Sequence, residues 1–120
     1  MITIERVPEL AAAAREILTE LGVANVEVLV GDGSAGLPER APFEAIAVHA
    51  TAPAPPATLT GQLAIGGRLV VPIASRTADM LTLIRRLAED VDSTTGQGLD
   101  RTVIGPARFV PLIGSEGFPE

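Results

Sequence analysis

The chain has no cysteine, no lysine and a single histidine. Without cysteine there is no disulfide, no zinc–thiolate site and no thiol nucleophile. All nine basic residues are therefore arginine. Together with the abundant alanine, glycine and proline, this reads as the coding bias of a GC-rich genome rather than a demand of chemistry. The arginines are scattered and outnumbered by 15 acidic residues, giving a net charge of −6. An acidic chain with no basic stripe argues against a nucleic-acid or anionic-membrane surface. Long apolar runs are also missing, each being broken by glycine, proline or charge, and no signal-peptide pattern is read. The expectation is a soluble, cytoplasmic protein.

What is present is globular in character. Apolar residues make up 47% of the 120 and charged residues 20%, enough for one domain with a modest core. Residues 1–5 read as a buried strand through Ile2 and Ile4. Pro8 suits the first turn of a helix, Leu10, Ala14, Ile17, Leu18 and Leu21 follow at helical spacing, and Gly22 supplies a stop. Residues 26–30 read as a second strand ended by Gly31-Asp32-Gly33, and a loop follows to Pro42. A third strand is expected at 45–50, a proline-rich turn at 51–56 and a short helix at 57–63. Gly66-Gly67 then turns into an apolar strand at 68–73.

This alternation predicts an α/β fold with a mostly parallel sheet covered on both faces. Further on the pattern weakens. Residues 80–87 fit neither the helical nor the strand period, 90–100 form a polar turn, and 102–112 read as a strand interrupted at Gly105-Pro106. Arg85-Arg86 reads as an ordinary solvated pair. No internal repeat or interdomain linker is found.

The first five residues carry the clearest chemical signal. In nucleotide-binding α/β folds an acid closing the second strand bonds the ribose hydroxyls, while a glycine-rich turn after the first strand approaches the rest of the cofactor. Glu5 is such an acid, and no glycine-rich turn lies upstream of it. A crossover helix would make the strands at 1–5 and 26–30 parallel neighbours, so Glu5 and Asp32 fall on the sheet edge where ligands bind.

Five segments in order then resemble a family: MITIERVPEL at 1–10, VEVLVGDGS at 26–34, APFEAI at 41–46 with Ala52-Pro53, GGRLVVP at 66–72 and RFVPL at 108–112. Each alone is weak. Together they are similar to the C-terminal part of protein-L-isoaspartate O-methyltransferases, over nearly the whole chain. The resemblance implies an incomplete Rossmann-like class I methyltransferase sheet, with residues 1–120 as a partial S-adenosylmethionine-dependent domain. It implies methyl transfer from S-adenosylmethionine to the α-carboxyl of isoaspartyl residues in damaged proteins, which promotes their repair. Carried over, Glu5 would bond the ribose hydroxyls, and Asp32 with the backbone of Gly33 would lie beside the adenine. Ala50, Thr51, Ala52 and Pro53 would border the transfer site, and Val110, Pro111 and Leu112 would hold the substrate backbone. The acceptor carboxylate is already ionised at neutral pH, with a typical pKa of about 4. Catalysis then rests mainly on alignment, so the lack of a Ser-His-Asp set is no objection.

Two regions of the family pattern have no counterpart here. One is the first strand with its glycine-rich loop, which lies between the strands at 1–5 and 45–50 in the family sheet. The other is the N-terminal segment with the family's catalytic hydroxyl residue, so no catalytic residue is assigned. The expectation is a gene whose start was placed inside a longer frame, with little or no activity in this chain alone. The alternative is a non-catalytic, strand-borrowing module that self-associates through its unpaired edges. A nicotinamide-dependent dehydrogenase also uses an acid after its second strand, but residues 108–112 fit it poorly. His49 and Thr51 depart from the residues usual in the family. His49 reads as a partly exposed structural imidazole, since the reaction needs no general base.

Overall fold

The computed structural model describes residues 1–120, which form two compact units, Met1–Gly33 and Ser34–Glu120. The class is α/β. The first unit contains strand β1 (Ile2–Glu5), helix α1 (Pro8–Glu20) and strand β2 (Glu27–Val30). Pro8 opens α1, where its missing N–H removes no helical bond. At the other end Gly22 sits at φ +71°. The Gly22 N–H reaches the Thr19 carbonyl at 3.0 Å and the Val23 N–H reaches that of Leu18 at 2.9 Å. This paired closure satisfies carbonyls that the helix end leaves open, and only glycine adopts the left-handed turn without strain. β1 and β2 pair in parallel, with Glu5 opposite Val30.

The helix buries a narrower stripe than its sequence predicts. Ala11 is fully buried and Ala14 and Leu18 are half-buried, while Leu10, Ile17 and Leu21 stay exposed. Arg15 adds a polar tie, its Nε and Nη2 donating to the Val28 carbonyl at 3.2 and 2.7 Å.

The second unit holds strand β3 (Phe43–Ala47), helix α2 (Ala57–Gly61) and strands β4 (Leu63–Ile73), β5 (Asp79–Arg86) and β6 (Leu99–Ala107). They form one sheet in the order β3-β4-β5-β6. β3 pairs with β4 in parallel, while β4–β5 and β5–β6 are antiparallel. The sheet is thus mixed. Parallel pairing follows the crossover through α2, and antiparallel pairing follows the direct connections after β4. β1 and β3 each keep one edge with no strand partner.

Several boundaries differ from the sequence expectation. β3 begins and ends earlier than 45–50, although Val48 still donates to the Val70 carbonyl at 2.9 Å. β4 begins at Leu63 rather than after Gly66-Gly67, because those glycines carry a bulge instead of a break. A Cβ at Gly67 would lie 2.7 Å from the Ala64 carbonyl oxygen and 2.9 Å from that of Phe43, so only glycine permits this close approach.

The ambiguous 80–87 stretch falls almost wholly in β5, one of the two inner strands of the sheet. Thr82 and Ile84 are buried, while Leu81 and Leu83 on the other face are half-buried, which blurs the alternation expected of a one-sided strand. β6 bulges one residue before the predicted Gly105-Pro106 site. Leu81 pairs with Gly105 and Thr82 with Val103, which leaves Ile104 between them. The core of this unit is Ala52, Leu59, Leu63, Leu69, Val71, Ile73 and Ile84.

Candidate functional site

The predicted nucleoside-side residues lie together in the first unit. Glu5 is the last residue of β1, half-buried, and its Oε1 accepts the Val7 N–H at 2.8 Å. That bond fixes one oxygen of the carboxylate and leaves Oε2 for another partner. The Glu5 carbonyl in turn accepts the Gly31 N–H at 3.1 Å, extending the parallel ladder one step past Val30. Asp32 follows immediately and is half-buried. Gly33 opens a single 3-10 turn and packs on Ile4, where an added Cβ would meet the Ile4 side chain at an ordinary 3.9 Å. Both acids therefore stand at the carboxyl end of one parallel strand pair, the edge at which open α/β sheets bind ligands.

The predicted acceptor-side residues lie in the second unit, and the structure joins two segments about sixty residues apart. Thr51 and Pro111 form a parallel bridge. The Thr51 N–H donates to the Val110 carbonyl at 2.7 Å, and the Leu112 N–H donates to the Thr51 carbonyl at 2.8 Å. On the other side Ala52, fully buried, bridges to Ile73: its N–H reaches the Pro72 carbonyl at 2.9 Å and its carbonyl accepts the Ala74 N–H at 2.9 Å. Residues 51–52 are thus clamped between β4 and the segment after β6. Ala50 is half-buried, whereas Pro53, Val110 and Pro111 are exposed and Leu112 packs against the core. His49 is exposed.

Three further side chains in this unit make ties that the sequence did not signal, and one of them, Asp79, reaches this platform. Asp79 Oδ2 accepts the buried Thr51 hydroxyl at 2.8 Å and the Phe109 N–H at 3.5 Å. With Thr77, Ala78, Pro106, Ala107 and Arg108 it lines an open groove of about 460 Å³. Glu116 caps α2: its Oε2 accepts the Ala57 N–H at 2.8 Å, its Oε1 accepts the Thr58 hydroxyl at 2.9 Å, and its own N–H donates to the Ser34 hydroxyl at 3.1 Å.

Arg86 is the third, and it is half-buried and tied to backbone carbonyls rather than only solvated. Its Nη1 donates to the Gly61 and Leu63 carbonyls at 2.9 and 2.7 Å, its Nε to Ala88 at 3.0 Å, and its Nη2 to Glu89. Arg85, its neighbour on the opposite face of β5, is exposed as expected. The period of a strand separates the two arginines but does not say which one faces carbonyls.

The family model described as protein-L-isoaspartate(D-aspartate) O-methyltransferase matches residues 1–117. The chain belongs to this family. It is 50% identical over 116 residues to the protein-L-isoaspartate O-methyltransferase of Trichlorobacter lovleyi, covering 97% of this chain and 50% of that protein. The Aeropyrum pernix relative is 47% identical over 118 residues, covering 98% of this chain and 43% of the relative. The chain spans about half the length of the curated relatives it matches. A solved protein-L-isoaspartate O-methyltransferase superposes with a TM-score of 0.81 at 26% identity, over 97% of this chain and 35% of the other. A Plasmodium falciparum structure described as a family methyltransferase in complex with S-adenosyl-L-homocysteine gives a TM-score of 0.75 at 24% identity. It aligns with 93% of this chain and 51% of its own. These likenesses support the incomplete Rossmann-like sheet expected from the five segments. No helix is long and apolar enough to cross a membrane.

Proposed function

We propose that residues 1–120 carry the nucleoside-binding and acceptor-binding parts of an S-adenosylmethionine-dependent methyltransferase acting on isoaspartyl carboxylates of proteins. The observation that carries this reading is the placement of Glu5 and Asp32 at the carboxyl edge of a parallel strand pair in a chain of this family. Glu5 Oε2 would accept a ribose hydroxyl, with Oε1 held by the Val7 N–H. A carboxylate suits a vicinal diol because it accepts but never donates. Asp32, with the backbone at Gly33, would face the adenine. When bound, S-adenosylmethionine supplies an electrophilic methyl group.

The acceptor carboxylate is ionised at neutral pH, so the chain needs to hold and orient it rather than deprotonate it. Residues 50–53 and 110–112 are suited to that role, since their bridge fixes two backbone segments while Pro53, Val110 and Pro111 remain exposed. A second reading is that the open edges of β1 and β3 pair with another copy of the chain.

One titration separates these readings. Calorimetry with S-adenosylhomocysteine should give saturable binding to the 120-residue chain. Glu5→Ala should weaken it by about five- to 150-fold, since a hydroxyl left without its acceptor costs about 1–3 kcal/mol. Absence of binding, or equal binding by Glu5→Ala, would overturn the nucleoside assignment. Light scattering on the same samples reads the self-associating alternative.

A further inference from the structure

The Asp79 carboxylate belongs to none of the segments assigned to substrate above, yet it bonds Thr51 in one of them and Phe109, the residue that leads into the other. We propose that Asp79 is a positioning residue that sets the acceptor-binding bridge between Thr51 and Pro111, an inference that rests on the acceptor reading above. The bridge consists of two backbone bonds, Thr51 N–H to Val110 and Leu112 N–H to Thr51. Both segments are anchored nearby, Ala52 on β4 and Leu112 against the core, so these two bonds set mainly how the segments lie relative to each other. Asp79 supplies a common anchor at the head of β5. The same oxygen, Oδ2, accepts the Thr51 hydroxyl from one segment and the Phe109 N–H from the other.

The geometry makes this anchor selective. Thr51 is 4% exposed, so its hydroxyl has no ready exchange with water. A buried hydroxyl on a charged acceptor is worth more than a neutral pair, and removing the acceptor leaves the donor unsatisfied. Ala52, the next residue, is locked to β4 through Pro72 and Ala74. Residue 52 is therefore fixed from β4 by backbone bonds, and 109–112 is held relative to it by the two bridge bonds together with Asp79. Loss of the carboxylate would loosen the second segment at Phe109 and leave the Thr51 hydroxyl without its acceptor, while the first stays on the sheet. Substrate affinity should fall without a matching fall in cofactor affinity.

The test uses the whole 120-residue chain and the variants Asp79→Ala, Asp79→Asn and Thr51→Val. Three quantities are read: affinity for a short peptide with one isoaspartyl residue, affinity for S-adenosylhomocysteine, and amide hydrogen exchange at Thr51 and Leu112. Asp79→Ala and Thr51→Val should each weaken the peptide about tenfold and speed exchange at both amides by a similar factor. Their affinity for S-adenosylhomocysteine should change less than twofold. Asp79→Asn should recover most of both properties, because its amide oxygen still accepts the hydroxyl.

Wild-type exchange and peptide affinity in Asp79→Ala would overturn the proposal. So would equal loss of both ligands, which signals general unfolding, or an Asn variant as impaired as the Ala variant. A wild-type chain that binds S-adenosylhomocysteine but not the peptide overturns the acceptor assignment and leaves the nucleoside assignment standing. Binding of neither ligand overturns both.

Discussion

The two units hold their candidate site groups in place by different means. In Met1–Gly33 only Ala11 and Val28 are buried apolar residues, and the site groups are fixed by strand ends close in sequence or joined by one crossover. Ser34–Glu120 has a seven-residue apolar cluster, yet its site groups depend on single side chains reaching far along the chain. Asp79 reaches Thr51 across 28 positions, and Glu116 reaches Ala57 across 59. A strand-end site is set by backbone pairing and tolerates side-chain change. A bridged site inherits the fragility of each polar tie.

The sharpest way to break that comparison is to remove one arginine from each unit. Arg86→Ala strips donors from the Gly61 and Leu63 carbonyls beside the end of α2, and should lower stability by about 2 kcal/mol. Arg15→Ala loses two bonds to one carbonyl from an exposed helix position, and should lower it by less than about 1 kcal/mol. Urea unfolding followed by amide exchange reads both the size of each effect and the unit in which it falls. Equal effects would mean that the two units do not differ in their reliance on side-chain ties.

Glu116→Ala comes next. It removes the cap of α2 while leaving the backbone contact from residue 116 to Ser34, and a lost helix cap typically costs about 1 kcal/mol. Faster exchange should be confined to α2 and residues 112–118, and a change spread over β4–β6 would contradict the local reading.

The smallest effect concerns Asp92, in the turn before β6. Its carboxylate accepts the Thr94 and Thr95 N–H groups at 2.8 and 3.3 Å. Those bonds, Thr94 first, hold its pKa below the usual carboxylate range. A lowered folded-state pKa stabilises the turn fully above the unfolded value, and the contribution is lost as pH falls through the folded one. Urea midpoints between pH 5 and pH 2 should therefore decline slightly more steeply in wild type than in Asp92→Asn, with no difference in slope at neutral pH.

Much of the first unit was legible in sequence because its signals are local. Pro8 and Gly22 bracket the helix to within two residues, and Glu5 and Asp32 follow from the strand ends they close. The exposure of Leu10, Ile17 and Leu21 was not legible, since periodicity identifies an apolar face but not whether anything covers it. In the second unit the segments around Thr51 and Pro111 were recognisable as pieces, but their direct bonding was not. Nor was Asp79, which sits outside both segments and is defined only by the pairing of β5 with β4 and β6. Where a residue acts through a contact remote in sequence, pattern within a window carries no trace of it.

The bridge between Thr51 and Pro111 also bears on the order of assembly. It encloses about sixty residues, and closing a flexible loop of that length costs about 3–4 kcal/mol in chain entropy beyond a constant term. Two backbone bonds do not repay that on their own. Once β4, β5 and β6 have zipped as successive neighbours, most of the enclosed chain is already ordered and the remaining gap is short. The bridge is therefore a high-contact-order element whose closure is favoured once the local hairpins have formed. Late closure in folding is the expectation, with the bridge depending on the strands that precede it.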